Sequence, residues 1–171
     1  MINFLFKKAI LVANVIILKI NGVKYGKNLR INGLIKIKGQ GKIVIGDDVT
    51  ISSGLYINPI GGFSRTMLNT YSGAQINIGN NVGISNSIIV SKVKITIGDG
   101  SLIGGGALII DSDFHSLDWK IRNTPDDVSK NIEVKIGKNA FVGAFSILTK
   151  GSVVADREIV PAGFHGRFSR K

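Results

Sequence analysis

A six-residue repeat constrains the fold of this chain more than any other feature of its sequence. Each copy has the form Ile-Gly-x-x-x-Φ, in which Φ is apolar, and a second hexad opened by an aliphatic residue follows it. The clear Ile-Gly copies begin at Ile45, Ile78, Ile97 and Ile136. Their partner hexads begin six residues later, at Ile51, Ile84, Ile103 and Val142. A period of six fits neither an α-helix nor a simple alternating strand. It is typical of hexapeptide repeats, in which each hexad forms one short strand and one turn.

Stacked hexads predict an all-β architecture with a continuous core. Three hexads close one coil of about eighteen residues, and successive coils build a three-sided parallel β-helix. The aliphatic residue that opens each hexad points into the prism. Gly, Asn and Asp occupy the corners, where backbone with a positive φ costs least. At 171 residues, the chain is long enough for one such domain.

The repeat is interrupted twice. Successive Ile-Gly pairs lie 33, 19 and 39 residues apart, so the first and third intervals are longer than one coil. We place the extra residues in two inserted loops, near residues 58–75 and 112–133. A solenoid tolerates loops at its corners, and such loops gather on a functional face. Both loops are therefore the first places to look for chemistry.

The N-terminal segment is apolar, and two interpretations of it stay open. From Ala9 to Leu18 only Asn14 is polar, and lysines flank the segment. It either caps the open end of the prism, as a β-helix requires, or rests as an amphipathic helix on an anionic membrane. The two are compatible, and the segment is too short and too interrupted to predict a membrane span. The predicted divisions are an N-terminal helix at 1–22, a β-helix at 23–163 and a basic tail at 164–171.

Composition excludes several classes of function. The net charge of +11 attracts polyanions such as anionic membranes, acidic glycans and phosphorylated ligands. No motif that combines basic and aromatic residues for nucleic acid is present, so we expect no nucleic-acid partner. The absence of Cys excludes disulfides, thiolate metal sites and cysteine nucleophiles. Because the chain has two His and a γ-carbonic anhydrase type of site needs three, we expect no metal.

The second inserted loop opens with a candidate general base. The run Asp111-Ser112-Asp113-Phe114-His115-Ser116-Leu117-Asp118 places a histidine among acidic residues where the chain leaves a coil. Asp113 or a backbone carbonyl would hold one imidazole nitrogen and leave the other free to take a proton. We interpret the other histidine, His165, as a surface residue. His115 is thus the predicted base.

These motifs resemble the hexapeptide-repeat acyltransferases, and most of all the bacterial galactoside, maltose and polysaccharide O-acetyltransferases. The resemblance runs from about Lys24 to the C-terminus. Its specific part is the run from Ile97 to Leu117, then a loop, then the run from Ile136 to Ala144. The resemblance implies a left-handed coil, which departs from the usual right-handed crossover. It also implies a homotrimer that binds acetyl-CoA, the acyl donor, between neighbouring prisms.

The resemblance implies an activity as well. It is the acetyl-CoA-dependent O-acetylation of a sugar hydroxyl of a bacterial cell-surface polysaccharide (O-antigen, capsule or exopolysaccharide) or its precursor. The enzyme would be cytoplasmic, with peripheral contact at the inner face of the membrane. An N-acetyltransferase acting on an amino sugar or an antibiotic would use the same histidine base, and remains the alternative. The loops carry no recognisable acceptor code.

The resemblance assigns roles to particular positions. The implied catalytic residues are His115, Asn86 near the acceptor, and Asp113. Those implied to bind acetyl-CoA are Phe141 beside the pantetheine, Gly143, Ala144 with its N–H facing the thioester oxygen, Lys150, Arg167 and Arg170. The tail, Gly163-Phe164-His165-Gly166-Arg167, departs from the family pattern Gly-Asn-Pro-Ala-Lys. We also expect the chain to lack the further Ile-Gly coil that relatives often carry between Lys150 and the tail.

Overall fold

The strands of this chain stack into six coils of a parallel β-helix. The computed structural model describes residues 4–169, which contain one α-helix and short strands, three to a coil. Equivalent strands of successive coils pair in parallel, and this gives three six-stranded sheets. The sheets close into a left-handed three-sided prism, so the predicted fold is confirmed.

The strands are two to four residues long, the length of one side of the prism. A helix, α1 (Phe4–Ile20), precedes them. The first three coils are β1 (Lys24–Tyr25), β2 (Arg30–Gly33), β3 (Lys36–Gly39); β4 (Lys42–Ile45), β5 (Thr50–Ser53), β6 (Met67–Thr70); β7 (Gln75–Ile78), β8 (Gly83–Ser85), β9 (Ile88–Ser91). The last three are β10 (Lys94–Ile97), β11 (Leu102–Ile103), β12 (Leu108–Ile110); β13 (Val134–Ile136), β14 (Phe141–Val142), β15 (Ile147–Leu148); β16 (Val153–Val154), β17 (Ile159–Val160), β18 (His165–Gly166).

The core consists of aliphatic columns that run along the prism axis. All eight residues predicted to point inward are buried, with at most 3% of their surface exposed. In the first sheet they stack in register as Ile45, Ile78, Ile97 and Ile136. In the second sheet they stack as Ile51, Ile84, Ile103 and Val142. Each such side chain contributes about 1.5–3 kcal/mol by leaving water, so the columns hold the coils in register.

A ladder of Asx side chains stabilises the corner between the first and second sheets. Asp47, Asn80 and Asp99 each use Oδ1 to accept a backbone N–H from the preceding coil, at 2.6, 2.7 and 2.9 Å. The residues that follow the first two, Asp48 and Asn81, have φ of 58° and 55°. Asn and Asp tolerate this left-handed region better than other side chains. The Ile-Gly-Asx pattern is therefore the sequence signature of this corner.

Helix α1 packs across the first coil. Leu18 is buried there, and Asn14 is only 1% exposed. The Asn14 amide donates to the carbonyl of Gly33 at 2.8 Å and accepts from the N–H of Ile35 at 3.2 Å. Asn14, the polar residue that interrupts the apolar segment, thus provides hydrogen-bond partners for two backbone groups at the open end of the prism. Within the described residues, no helix is long and apolar enough to cross a membrane.

The two insertions leave different corners of the prism. The first, called loop 1, comprises residues 54–66, between β5 and β6. It is shorter than the predicted 58–75, because Leu68 occupies a core position without an Ile-Gly pair to mark it. The second, called loop 2, comprises residues 111–133, between β12 and β13, and agrees with the prediction. Loop 1 lies between the second and third sheets, and loop 2 between the third and first.

The expectation that the chain lacks a further coil after Lys150 is wrong. Strands β16, β17 and β18 add a sixth coil, in which Val154 and Val160 point inward. This coil has Val-Ala and Val-Pro in place of Ile-Gly, so the repeat pattern does not reveal it. Strand β18 extends the third sheet into the segment predicted as a tail, and Phe168 is buried beyond it.

Candidate active site

Loop 2 is anchored to the β-helix by a buried carboxylate. Asp111 is fully buried at the point where the chain leaves β12. It accepts hydrogen bonds from the Ser91 hydroxyl at 2.6 Å, the Lys92 N–H at 2.7 Å and the Val93 N–H at 3.0 Å. These donors form the equivalent corner of the preceding coil. The first residue of the loop is therefore held to a rigid part of the prism.

A His–Asp pair lies at the surface of loop 2. The Nδ1 atom of His115 is 2.8 Å from Oδ2 of Asp127, and 62% of the histidine side chain is exposed. Asp127 also accepts the N–H of Ser116 at 2.5 Å and that of Asn123 at 2.9 Å. The carboxylate thereby binds the proton on Nδ1. The Nε2 atom keeps a free lone pair, as a general base requires.

The same contacts keep Asp127 ionised. The backbone N–H groups of Asn123 and Ser116, followed by His115, lower the pKa of this carboxyl from 3.8 to about 2. Hydrogen bonds to a carboxylate favour its charged form. A negative charge beside Nδ1 also stabilises the imidazolium that forms when Nε2 takes a proton. Asp127 was not predicted, because the sequence offers several acidic residues in this loop and gives no means of choosing among them.

The predicted contact between Asp113 and His115 is wrong. Asp113 instead forms an ion pair with Lys150 from the following coil, and both side chains are 18% exposed. Two oppositely charged groups this poorly solvated pair with each other rather than with a more exposed imidazole. Lys150, predicted to bind acetyl-CoA, is thus engaged at the base of loop 2. Together they tie the loop to the fifth coil.

The residue before His115 adopts a strained backbone conformation. Phe114 has a φ of 65°, in the left-handed region that bulky side chains avoid. Its ring lies 6.2 Å from that of Tyr71, and the Lys92 ammonium lies 5.4 Å from its centroid. The Phe114 N–H donates to the Ser112 hydroxyl at 2.8 Å. Strain of this kind persists only where surrounding contacts impose it, and it often marks functional sites.

Asn86 holds loop 1 against the prism. It is fully buried and accepts the Gly54 N–H at 2.6 Å. Its amide donates to the carbonyls of Asn58 and Ile60 at 2.7 and 3.0 Å. Asn86 and His115 lie at different corners of the prism, since one follows β8 and the other follows β12. The structure therefore does not bring these two predicted catalytic residues together at one corner of a single chain.

Loop 1 lies along its corner toward the last coils. Gly61 and Gly105 pack so closely that a Cβ on Gly61 would lie 2.2 Å from the nitrogen of Gly106. Farther along, the ring of Phe63 stacks on that of Phe145 at 6.2 Å and 11°. Gly105 is required by this approach, since a Cβ there would lie 2.3 Å from the Ile60 carbonyl oxygen, whereas Gly106 makes room for the Phe145 ring.

An apolar ladder runs along the outer face of the second sheet. Leu102, Phe141 and Ile159 are register partners in successive coils, and they are 53%, 43% and 58% exposed. Phe141, predicted to contact the pantetheine, is the middle rung. At the adjoining corner, within residues 4–169, the Ala144 N–H donates to no protein acceptor. Ala144 thus offers a free backbone donor near the ladder.

The remaining predicted residues differ in how available they are. Gly143 donates its N–H to the Val160 carbonyl at 2.9 Å and packs against Ala162, so it joins two coils. Arg167 is exposed, and its Nε donates to the Gly151 carbonyl at 2.9 Å. Arg170 lies outside the described residues. Within residues 4–169, no group of three or more His, Asp or Glu side chains is placed to hold a metal.

Comparisons with known proteins identify the fold. The sequence matches no family model and none of the curated proteins. Among solved structures, the chain is similar to AntD, an N-acyltransferase from Bacillus cereus in complex with dTDP-4-amino-4,6-dideoxyglucose and coenzyme A. The identity is 18%, the TM-score is 0.54, and the match covers 89% of this chain and 77% of AntD. The chain has the fold of the hexapeptide-repeat acyltransferases.

A weaker likeness is to the polysialic acid O-acetyltransferase OatWY. Here the identity is 18% and the TM-score 0.47, with 87% of this chain and 80% of OatWY covered. The likeness to AntD confirms, for the fold, the resemblance inferred from the repeats. Activity has to be inferred from the chain's own residues.

Proposed function

We propose that this protein is an acetyl-CoA-dependent acetyltransferase that modifies a sugar hydroxyl, with His115 as its general base. The observation that carries the proposal is the His115–Asp127 pair, exposed on a loop inserted into a left-handed β-helix. A general base must be accessible, correctly protonated and rigidly held. Asp127 and the Asp111 anchor meet the last two requirements, and the exposure of the imidazole meets the first.

The chemistry follows from these positions. The Nε2 atom of His115 takes the proton of the acceptor hydroxyl as its oxygen bonds to the acetyl carbonyl carbon. Asp127 stabilises the resulting imidazolium. The tetrahedral oxyanion then collapses, the carbon–sulfur bond breaks, and the imidazolium returns its proton to the thiolate. The products are an acetyl ester and a free thiol, and no acyl-enzyme is formed.

The donor is proposed to lie along the second sheet. The ladder containing Phe141 gives an apolar surface for the pantetheine arm. The unpaired N–H of Ala144 is suited to the oxyanion, and losing one donor of this kind costs roughly 3 kcal/mol in well-studied enzymes. Phosphate contacts with Arg167 and Arg170 complete the proposal, whereas Lys150 is already paired with Asp113.

Assembly as a homotrimer would complete the site. Loop 2 and the apolar ladder of the second sheet lie on different parts of one prism, so a neighbouring prism is needed to bring the base of one subunit to a thioester bound on another. A closed ring of three satisfies this for all its subunits. Light scattering should report a trimer for the active protein, and full activity in a monomer would contradict this arrangement.

The acceptor is proposed to be a glycan of the bacterial cell surface or its precursor. Leu117 and Trp119 follow His115 closely in loop 2 and are 72% and 76% exposed. An exposed aromatic four residues after the base in the same loop offers an apolar surface for a sugar ring. An amino group on an amino sugar or an antibiotic, as the likeness to an N-acyltransferase suggests, is the second candidate.

A screen with labelled acetyl-CoA distinguishes the two acceptors. Neutral sugars and oligosaccharides are compared with amino sugars, and each labelled product is treated with hydroxylamine. We expect hydroxylamine-labile esters on hydroxyl acceptors. Label that accumulates only on amino sugars and resists hydroxylamine would establish the N-acetyltransferase instead.

A further inference from the structure

Helix α1 has two faces, and only one of them is covered. Leu18 and Asn14 face the prism, whereas Val12, Val15 and Ile16 are 57%, 45% and 49% exposed. Ile20, at the end of the helix, is 79% exposed. These residues recur one turn apart, so they form a continuous stripe on the outer side of the helix. We call it the outer stripe.

Lysines stand at both ends of this stripe. Lys8 lies four residues before Val12, and Lys19 lies four residues after Val15, so each is one turn from a stripe residue. Both are exposed. Long lysine stems lie along apolar surface while their ammonium groups reach polar surroundings. The helix thus has an apolar stripe with a cation at each end, the arrangement of helices that lie in a bilayer interface.

The basic charge of the whole protein is concentrated at the same end. Residues 1–46 contain nine Lys or Arg and no Asp or Glu, whereas the remaining residues contain thirteen and eleven. The nine cations lie in α1, in the first coil and at the start of the second. All nine are exposed: Lys7, Lys8, Lys19, Lys24, Lys27, Arg30, Lys36, Lys38 and Lys42. Residues 1–46 thus carry a charge of +9, most of the net charge of +11, and these cations lie in α1 and the two coils nearest to it.

We infer that this N-terminal end of the prism, formed by the outer stripe and the nine cations, docks on an anionic lipid bilayer. The stripe enters the interface, and the cations contact lipid phosphates. The docking uses α1 lying in the interface, with its axis along the surface. It also keeps α1 packed on the first coil through Asn14, so it needs no unfolding of the cap.

Charge complementarity favours a bilayer over a second copy of the chain. Two prisms that met through this end would oppose two surfaces that each carry nine cations, against the two carboxylates, Asp47 and Asp48, that reach the first coil from the second. An anionic bilayer supplies the missing charge and the apolar layer together. In the trimer proposed above, cyclic symmetry puts the three helices in one plane, so three weak contacts act together.

The test is vesicle flotation of the full chain with phosphatidylcholine vesicles, with and without phosphatidylglycerol. We expect binding only with phosphatidylglycerol, and release as salt rises from about 0.1 M to about 1 M, where the screening length falls to about 3 Å. Val12→Ser/Ile16→Ser should weaken partitioning at least tenfold, the minimum expected when the exposed halves of two aliphatic side chains no longer enter lipid. Val128→Ser/Val153→Ser, which changes two exposed aliphatic side chains outside α1, is the matched control and should bind normally.

A second pair of variants tests the cations. Each lysine near an anionic surface contributes about fivefold to binding, so Lys36→Gln/Lys38→Gln should weaken partitioning about 25-fold. Lys120→Gln/Lys130→Gln removes the same charge from loop 2 and should have little effect on vesicle binding. An equal loss of vesicle binding in both charge variants would overturn the proposal. It would show that the net charge of the protein, rather than the cations at this end, accounts for the binding.

Two further outcomes would overturn it. Unchanged binding of Val12→Ser/Ile16→Ser would show that the stripe does not enter lipid. A change in the oligomeric state of that variant, seen by light scattering, would assign the stripe to a contact between copies. Vesicle binding requires no acetyl transfer, so its failure and the failure of the proposed activity are distinguishable.

Discussion

Replacing Asp127 by Asn tests the assignment of roles in loop 2. The amide keeps one oxygen, which can still accept the Ser116 N–H. Its NH2 group then faces both the Asn123 N–H and Nδ1 of His115, which lie 2.9 and 2.8 Å from Oδ2 in the native protein. The amide NH2 and the Asn123 N–H are then two donors that face each other, and Nδ1 of His115 can only accept a hydrogen bond from the amide. The imidazole proton therefore moves to Nε2, the atom that has to accept the substrate proton.

The expected loss is large. Because the wrong tautomer leaves Nε2 unable to accept the substrate proton, kcat should fall by about a hundredfold, the low end of what a general base contributes. The KM for acetyl-CoA should change little, since Asp127 does not face the apolar ladder. Asp126→Asn, the same change one residue earlier, is the matched control and should retain normal kcat.

The tautomer can be observed without any substrate. The chain has two histidines, so a His165→Gln background leaves one imidazole to follow by nitrogen NMR. At neutral pH the native protein should show the proton on Nδ1, and Asp127→Asn should show it on Nε2. An unchanged tautomer together with unchanged kcat would refute the role assigned to Asp127.

Three further predictions concern neighbouring features. The depressed pKa of Asp127 keeps the stabilising contribution of this carboxylate complete above pH 3.8, and the contribution is lost only as the pH falls through about 2; loss of this contribution above pH 4 in denaturant titrations would contradict this. Asn86→Ala should lower the free energy of unfolding by about 3 kcal/mol, since it leaves three backbone partners of loop 1 unpaired, as denaturant titration would measure. Phe141→Ala should raise the KM for acetyl-CoA about tenfold with little change in kcat, the value expected for about 1.4 kcal/mol of lost apolar contact.

The core and the regular corners could be predicted from sequence because one local rule repeats there. A buried aliphatic residue followed by Gly and Asx fixes a strand and a turn together, as the column from Ile45 to Ile136 shows. The sixth coil was not predicted, because Val154 and Val160 fill the core positions of that coil without an Ile-Gly pair to mark them. Leu68 was missed in the same way, which misplaced the boundary of loop 1.

The site was only partly predictable, for a different reason. His115 could be found because it is one of two histidines and lies where the repeat breaks. Its partner is twelve residues away in an irregular loop, where no periodicity relates sequence to space. Asp113 is nearer to His115 in sequence, but it forms an ion pair with Lys150 from the following coil. Contacts between loop residues depend on how the loop folds, and the repeat carries no information about that.

The most direct test of the proposed function is the steady-state kcat of His115→Ala, compared with that of His165→Ala. Both variants lose an exposed imidazole, but His165 lies in the last coil, away from loop 2. With the trimer intact and acetyl-CoA binding unchanged, kcat should fall at least about a hundredfold for His115→Ala, the low end for a general base. His165→Ala should retain native turnover. Near-normal turnover in His115→Ala would remove this residue from the mechanism and contradict the proposed function.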